Sequence, residues 1–190
     1  MKRFERGDTL IELVIAFAIF SLAAIMTLSI LNRGVSATQR SLEATLVRQQ
    51  IDSQAELLRY IHATNPALWG SMIASPTTTP DPISTNTACP VSPSNAFYIN
   101  PTVNVAEPDK TVIAKTPISA ATYRKPQTYA KVNYGAASQQ AEGIWIQVAE
   151  AENDSNPTVR AYDFYIHACW DSVGLDVPLT LGTIVRLYAR

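Results

Sequence analysis

The sequence predicts an α+β chain: a long N-terminal helix, apolar in its first half and amphipathic in its second, packed on a small antiparallel β-sheet. Three observations carry this expectation. The nineteen residues from Leu13 to Leu31 hold no charge, no proline and no glycine. Helical patterning continues past them to Ala63, and the first proline is Pro66. The last half of the chain reads as short β-rich runs between polar turns. With 190 residues, one domain, at most one plus a stalk, is expected.

The apolar stretch, as a helix, is about 29 Å long, close to the hydrocarbon core of a bilayer. Lys2, Arg3 and Arg6 precede it and favour a cytoplasmic N-terminus, while Arg33 and Arg40 follow it. A cleaved secretory signal would use Val35-Ser36-Ala37 and leave Thr38 as the first mature residue, but nineteen apolar residues exceed the usual h-region. A plain signal anchor fits the length and gives no role to Glu12. That carboxylate stands between Leu10-Ile11 and Leu13-Val14-Ile15. Ionised in the apolar layer it costs about 2.5–3.5 kcal/mol on insertion scales. Two partners are open to it. Thr9-Leu10-Ile11-Glu12 fits a capping box, with Glu12 reaching back to the helix start. Alternatively, another chain supplies a cation, such as the α-amine that cleavage after Gly7 would create at Asp8.

From Asn32 to Ala63, Val35, Leu42, Leu46, Ile51, Ala55, Leu58 and His62 recur at helical spacing as one apolar face. Arg40, Glu43, Arg48, Gln49, Asp52, Glu56 and Arg59 fill the polar remainder. Asn65-Pro66 ends this helix. Residues 71–95, centred on Thr77-Thr78-Thr79-Pro80-Asp81-Pro82, read as a surface loop. Strand composition follows at Phe97-Tyr98-Ile99-Asn100 and Thr102-Val103-Asn104-Val105. Ile144 to Ala149 and Val159 to His167 form a hairpin about the polar 152–157 turn, and Thr183 to Tyr188 is the final strand. The expectation is a sheet of three or four strands covering the amphipathic half-helix. Trp145, Tyr162 and Phe164 are assigned to packing.

A formal charge of -1, with no basic run, gives no support to a nucleic-acid partner such as DNA. No nucleophile motif or glycine-rich phosphate loop is present, so no catalytic residue, cofactor or small-molecule substrate is expected. Asp163 and His167 share a strand face with Asp171 nearby, which reads as a polar, solvated surface. Cys89 and Cys169 are compatible with two thiols, a disulfide or half of a metal site. His62 and His167 lie at no zinc spacing from them, so no metal is expected.

Gly7-Asp8-Thr9-Leu10-Ile11-Glu12 followed by the charge-free span resembles the prepilin cleavage and methylation motif of type IV pilins and type II secretion pseudopilins. The resemblance covers residues 1–31 closely. It implies a leader at 1–7, a filament-core or transmembrane helix at 8–31, a stalk helix at 32–63, a Pro/Ser/Thr-rich loop at 64–96 and a β head at 97–190. It also implies cleavage by prepilin peptidase between Gly7 and Asp8, and N-methylation of Asp8. Thr9 and Glu12 then act in assembly, with Glu12 neutralising a neighbouring subunit's amine. The implied partners are sibling subunits, the inner-membrane assembly platform and, before assembly, lipid. Asp8 stands where the family usually has Phe. The helix lacks the Gly or Pro break of many major pilins, which resembles a minor pilin or pseudopilin. An extracytoplasmic head makes a Cys89–Cys169 disulfide the simplest reading, a staple that pilin-like proteins often use.

Overall fold

The computed structural model describes residues 8–77, 80, 88–103, 111–135, 139–151 and 160–189. The leader with Gly7, the centre of the Pro-rich loop, Asn104-Val105, the 152–157 turn and Val159 lie outside these residues. The chain forms two compact units, Met1–Ser41 and Leu42–Arg190. One helix, α1 (Asp8–Thr64), contributes to both.

In the first unit α1 is apolar and uncovered. Leu10, Ile15, Phe20, Ile25 and Ile30 are all more than half exposed. Ser21 and Thr27, two of the three hydroxyl-bearing residues in the apolar run, turn inward on the backbone and donate to Phe17 O at 2.7 Å and Ala23 O at 2.8 Å. Their polar atoms are thereby occupied within the helix, as an apolar medium requires.

In the second unit the helix has a core face made by Val47, Ile51, Ala55, Leu58 and Ile61, all buried. Each large aliphatic side chain so buried contributes about 1.5–3 kcal/mol. Ile51, Ala55 and Leu58 are on the face the periodicity predicted. Leu42 is not, and is 59% exposed. Nor is Glu43 on the solvent side with the other charges: it is buried. Val35, further upstream in the same spacing, is exposed as well.

Asn65-Pro66 ends α1 and also starts a second helix, α2 (Pro66–Ile73), inside the stretch expected to be loop. Asn65 Oδ1 accepts from Leu68 N at 3.0 Å, and proline fits the first turn because its missing N–H would have no helical partner there. Trp69 and Met72 of α2 are buried, and Trp69 packs against His62, Tyr162 and Phe164.

The strands are β1 (Phe97–Val103), β2 (Thr111–Pro117), β3 (Tyr123–Arg124), β4 (Lys131–Asn133), β5 (Gln140–Glu142), β6 (Ile144–Ala151), β7 (Ala161–Trp170) and β8 (Leu179–Tyr188). The main sheet has five strands, not three or four, in the order β2-β1-β6-β7-β8. All its pairings are antiparallel. The predicted β6–β7 hairpin is present, with Ile144 opposite Ala168 and Ala151 opposite Ala161. A second sheet, β3-β5-β4, is built just ahead of β6.

Alternation assigns the faces of the large sheet. Ile144, Ile146, Phe164, Ile166, Ala168 and Trp170 turn to the α1 side, while Trp145, Tyr165, His167 and Cys169 turn away. β1 meets β6 only at Phe97 opposite Ile146. Beyond that point Gln54 of α1 takes the place of a strand. Ile99 N donates to Gln54 Oε1 at 2.9 Å, and Gln54 Nε2 donates to Ile99 O at 3.0 Å.

Candidate functional site

Two regions bear the residues that the sequence singles out. The first is the start of α1. The helix already includes Asp8 and Thr9, so Thr9 is inside it and not the residue ahead of it, as the capping-box reading requires. The side chains of Asp8 and Thr9 lie outside the described residues. Glu12 falls in the second turn, exposed among Leu10, Ile11, Leu13 and Val14, which are exposed as well. From there to Leu31 no further charge follows. α1 is a single helix long and apolar enough to cross a membrane, with a mean hydropathy of 2.6 in its most apolar window.

The second region joins the Pro-rich loop to the end of β7. Cys89 and Cys169 form a disulfide with their Cα atoms 5.6 Å apart, and both are buried. Around it the backbone is closely set. Cys169 N donates to Gly143 O at 2.8 Å, and Gly143 N to Arg124 O at 3.1 Å. Gly143 has φ +68°, and a Cβ there would stand 2.3 Å from Cys169 O and 2.7 Å from Pro126. Only glycine fits this link between β5 and β6.

On the other face of the same strand end, Glu43 receives two hydrogen bonds: Trp170 Nε1 donates at 3.1 Å and Ser172 Oγ at 2.6 Å. The helical periodicity places Glu43 on the polar side, away from this contact. The pairing spans 127 residues, and no local pattern announces it.

Asp163 and His167 are buried, contrary to the solvated surface expected of them. Arg186 on β8 lies opposite Asp163 and donates to both carboxylate oxygens, at 2.7 and 2.6 Å. His167 stacks on Trp145 and Tyr165, with ring centres 5.4 and 6.0 Å away. Asp171 is held elsewhere, by Lys125 at 2.5 Å. The three do not converge.

In the small sheet Glu142 is buried beneath Arg124, which donates to it, with Asn133 Nδ2 donating at 3.0 Å and the Lys131 ammonium 4.0 Å away as an ion-pair partner. Burial raises its pKa. The hydrogen bonds from Arg124 and Asn133, with the charges of Arg124 and Lys131, outweigh burial and hold it below the usual carboxylate value.

Residues 2–28 match the prokaryotic N-terminal methylation motif. The match takes in Gly7, Asp8, Thr9, Glu12 and most of the apolar span. No curated protein and no solved structure matches the chain.

Proposed function

We propose that the chain, whose residues 2–28 carry the prokaryotic N-terminal methylation motif, is a type IV pilin-like precursor and that its mature form is a structural subunit, a minor pilin or pseudopilin, of a filament. The precursor inserts with its N-terminus in the cytoplasm. Prepilin peptidase removes Met1 to Gly7, and the new amine at Asp8 becomes the methylation site. In the filament the apolar part of α1 packs beside the same part of other subunits, and Glu12 meets the α-amine of a neighbour. Such contacts are heterologous and open-ended, as a fibre requires. The filament core takes up the apolar side chains of α1 that are exposed among the described residues.

The observation that carries this reading is Glu12: a carboxylate directly ahead of an uncharged, exposed apolar run, Leu13 to Leu31. A spanning anchor without it would insert at lower cost, so its presence calls for a cation from outside the chain. Glu12→Ala is expected to keep membrane insertion and head folding and to lose filament incorporation. Normal incorporation of that variant would leave a signal-anchored extracytoplasmic binding module that does not polymerise. Intact mass measurement of the filament form is expected to place its first residue at Asp8. A first residue at Thr38 would return the chain to ordinary signal-peptide processing.

A further inference from the structure

Strand β8 ends the large sheet, and its hydrogen-bond phase is fixed at its C-terminal end. Ala189 N donates to Arg160 O at 2.8 Å, and the register places 189 opposite 160. In an antiparallel ladder, pairs that exchange hydrogen bonds alternate with pairs whose groups turn away. Leu181, Thr183, Val185 and Leu187 therefore bond to β7. Thr180, Gly182, Ile184, Arg186 and Tyr188 turn their N–H and C=O groups out of the sheet. His62 Nε2 meets Tyr188 O at 2.9 Å, which closes that end. Among the described residues, no backbone hydrogen bond outside the ladders reaches the other four.

The opposite edge reads the same way. Ile118 N donates to Ala96 O at 2.9 Å, opposite it in the β1–β2 register, so Thr111, Ile113, Lys115 and Pro117 turn outward. Pro117 has no N–H, and its carbonyl accepts from Thr122 Oγ1 at 2.6 Å. Three residues remain.

Long edges are usually guarded by free charge or proline. Leu179–Tyr188 holds no proline, and its one charged residue, Arg186, is engaged by Asp163 within the chain. Ile184 and Tyr188 are 58% and 55% exposed on the same face. Because open main-chain groups define the surface, its ligand is an extended strand.

We propose that β8 accepts the β2 edge of a second copy of this chain, so that the sheet continues from subunit to subunit. Strand direction alternates through β2-β1-β6-β7-β8, so β2 and β8 run the same way. Joined in parallel, the copies share one orientation, as copies inserted in one membrane must. Two β8 edges joined antiparallel would be related by a two-fold axis normal to the sheet, which reverses the strand direction from one copy to the next. The faces also agree. An outward-turned residue of β8 lies level with a residue of β2 that turns inward, such as Val112, Ala114 or Thr116. Side chains of both sets point away from α1, so the helix side of one copy continues the helix side of the next. The inference rests on the filament reading only for that common orientation.

The test uses the full-length chain in detergent, with sedimentation velocity over a concentration series. Ile184→Pro removes an outward N–H from β8 and leaves the bonds to β7 in place; Ile113→Pro does the same for β2. Each alone is expected to weaken self-association by about tenfold or more. Mixed together, each supplies the edge the other lacks, and association returns but stops at dimers. Should either proline variant lose its near-UV circular dichroism, Ile184→Lys and Val112→Lys take their places. Wild-type chain that does not self-associate overturns the proposal, as do two variants that associate normally or a mixture that shows no recovery. Sensitivity to the β8 substitution alone overturns the choice of β2 as occupant. All arms are repeated in Glu12→Ala, where edge pairing is expected to persist. Failure here is thereby distinct from failure of the filament reading.

Discussion

Gln54→Met removes a side chain that stands in for a missing strand while keeping nearly the same length. Ile99 is fully buried and Gln54 is 1% exposed, so no water replaces the lost amide. The substitution leaves one N–H and one C=O of Ile99 without partners. Each buried group so orphaned costs about 1–3 kcal/mol. Relief from burying the polar amide returns part of this, and the net expectation is a loss of about 2–4 kcal/mol. Against a total of about 5–15 kcal/mol for a typical domain, that is a large share. Urea unfolding of the full chain in micelles, followed by tryptophan fluorescence, reads it directly, because Trp69, Trp145 and Trp170 are all buried in the second unit. Gln50→Met is the comparison. Gln50 accepts a single, longer bond of 3.3 Å from Val132 N, and its loss is expected to cost about 1 kcal/mol or less. Gln54→Met within about 0.5 kcal/mol of wild type would refute the reasoning, as would a Gln50→Met that costs more.

Three further outcomes are expected. Gly143→Ala combines a positive φ with a Cβ driven against Cys169 O, so about 2–4 kcal/mol should be lost in the same urea assay. The Cys89→Ala/Cys169→Ala double variant releases a cross-link between residues 80 apart and should lose up to about 4 kcal/mol; reductant should then shift the wild-type midpoint and leave the variant's unchanged. Glu142 is held below the ordinary 4.5, so its contribution to stability is present above that pH and is lost as pH falls through its lowered folded value. The melting temperature of Glu142→Gln should therefore fall less steeply than wild type's between about pH 4.5 and pH 2.

Much of this fold is local and could be read from the chain. Nineteen uncharged residues, the Asn65-Pro66 stop and the β6–β7 hairpin each follow from neighbours in sequence. What escaped depends on distant partners. Periodicity identifies Ile51, Ala55 and Leu58 but carries no information on where the covering sheet begins, so it puts Leu42 inside and Glu43 outside. Asn65-Pro66 signals an end, while the same pair that stops one helix caps the next. β2 carries Lys115 within it and Pro117 at its end, and lacks clear alternation; it is a strand because β1 offers seven opposed residues. Asp163 is buried because Arg186, 23 residues away in sequence, lies across from it and donates to both of its oxygens. At the N-terminus the reverse holds. Glu12 is conspicuous in sequence because its proposed partner belongs to another molecule.

Cys169 and Trp170 are adjacent, yet the first is bonded on one side of the sheet and the second, through Glu43, on the other. Tension entering through the stalk helix and tension entering through the loop thus converge on one peptide unit at the end of β7. That strand is bonded to β6 and β8 along nearly all of its ten residues. A pull along its axis therefore loads many ladder bonds at once in shear and does not peel them singly. In the proposed filament subunit, this is the arrangement that would let a head bear load before it unravels.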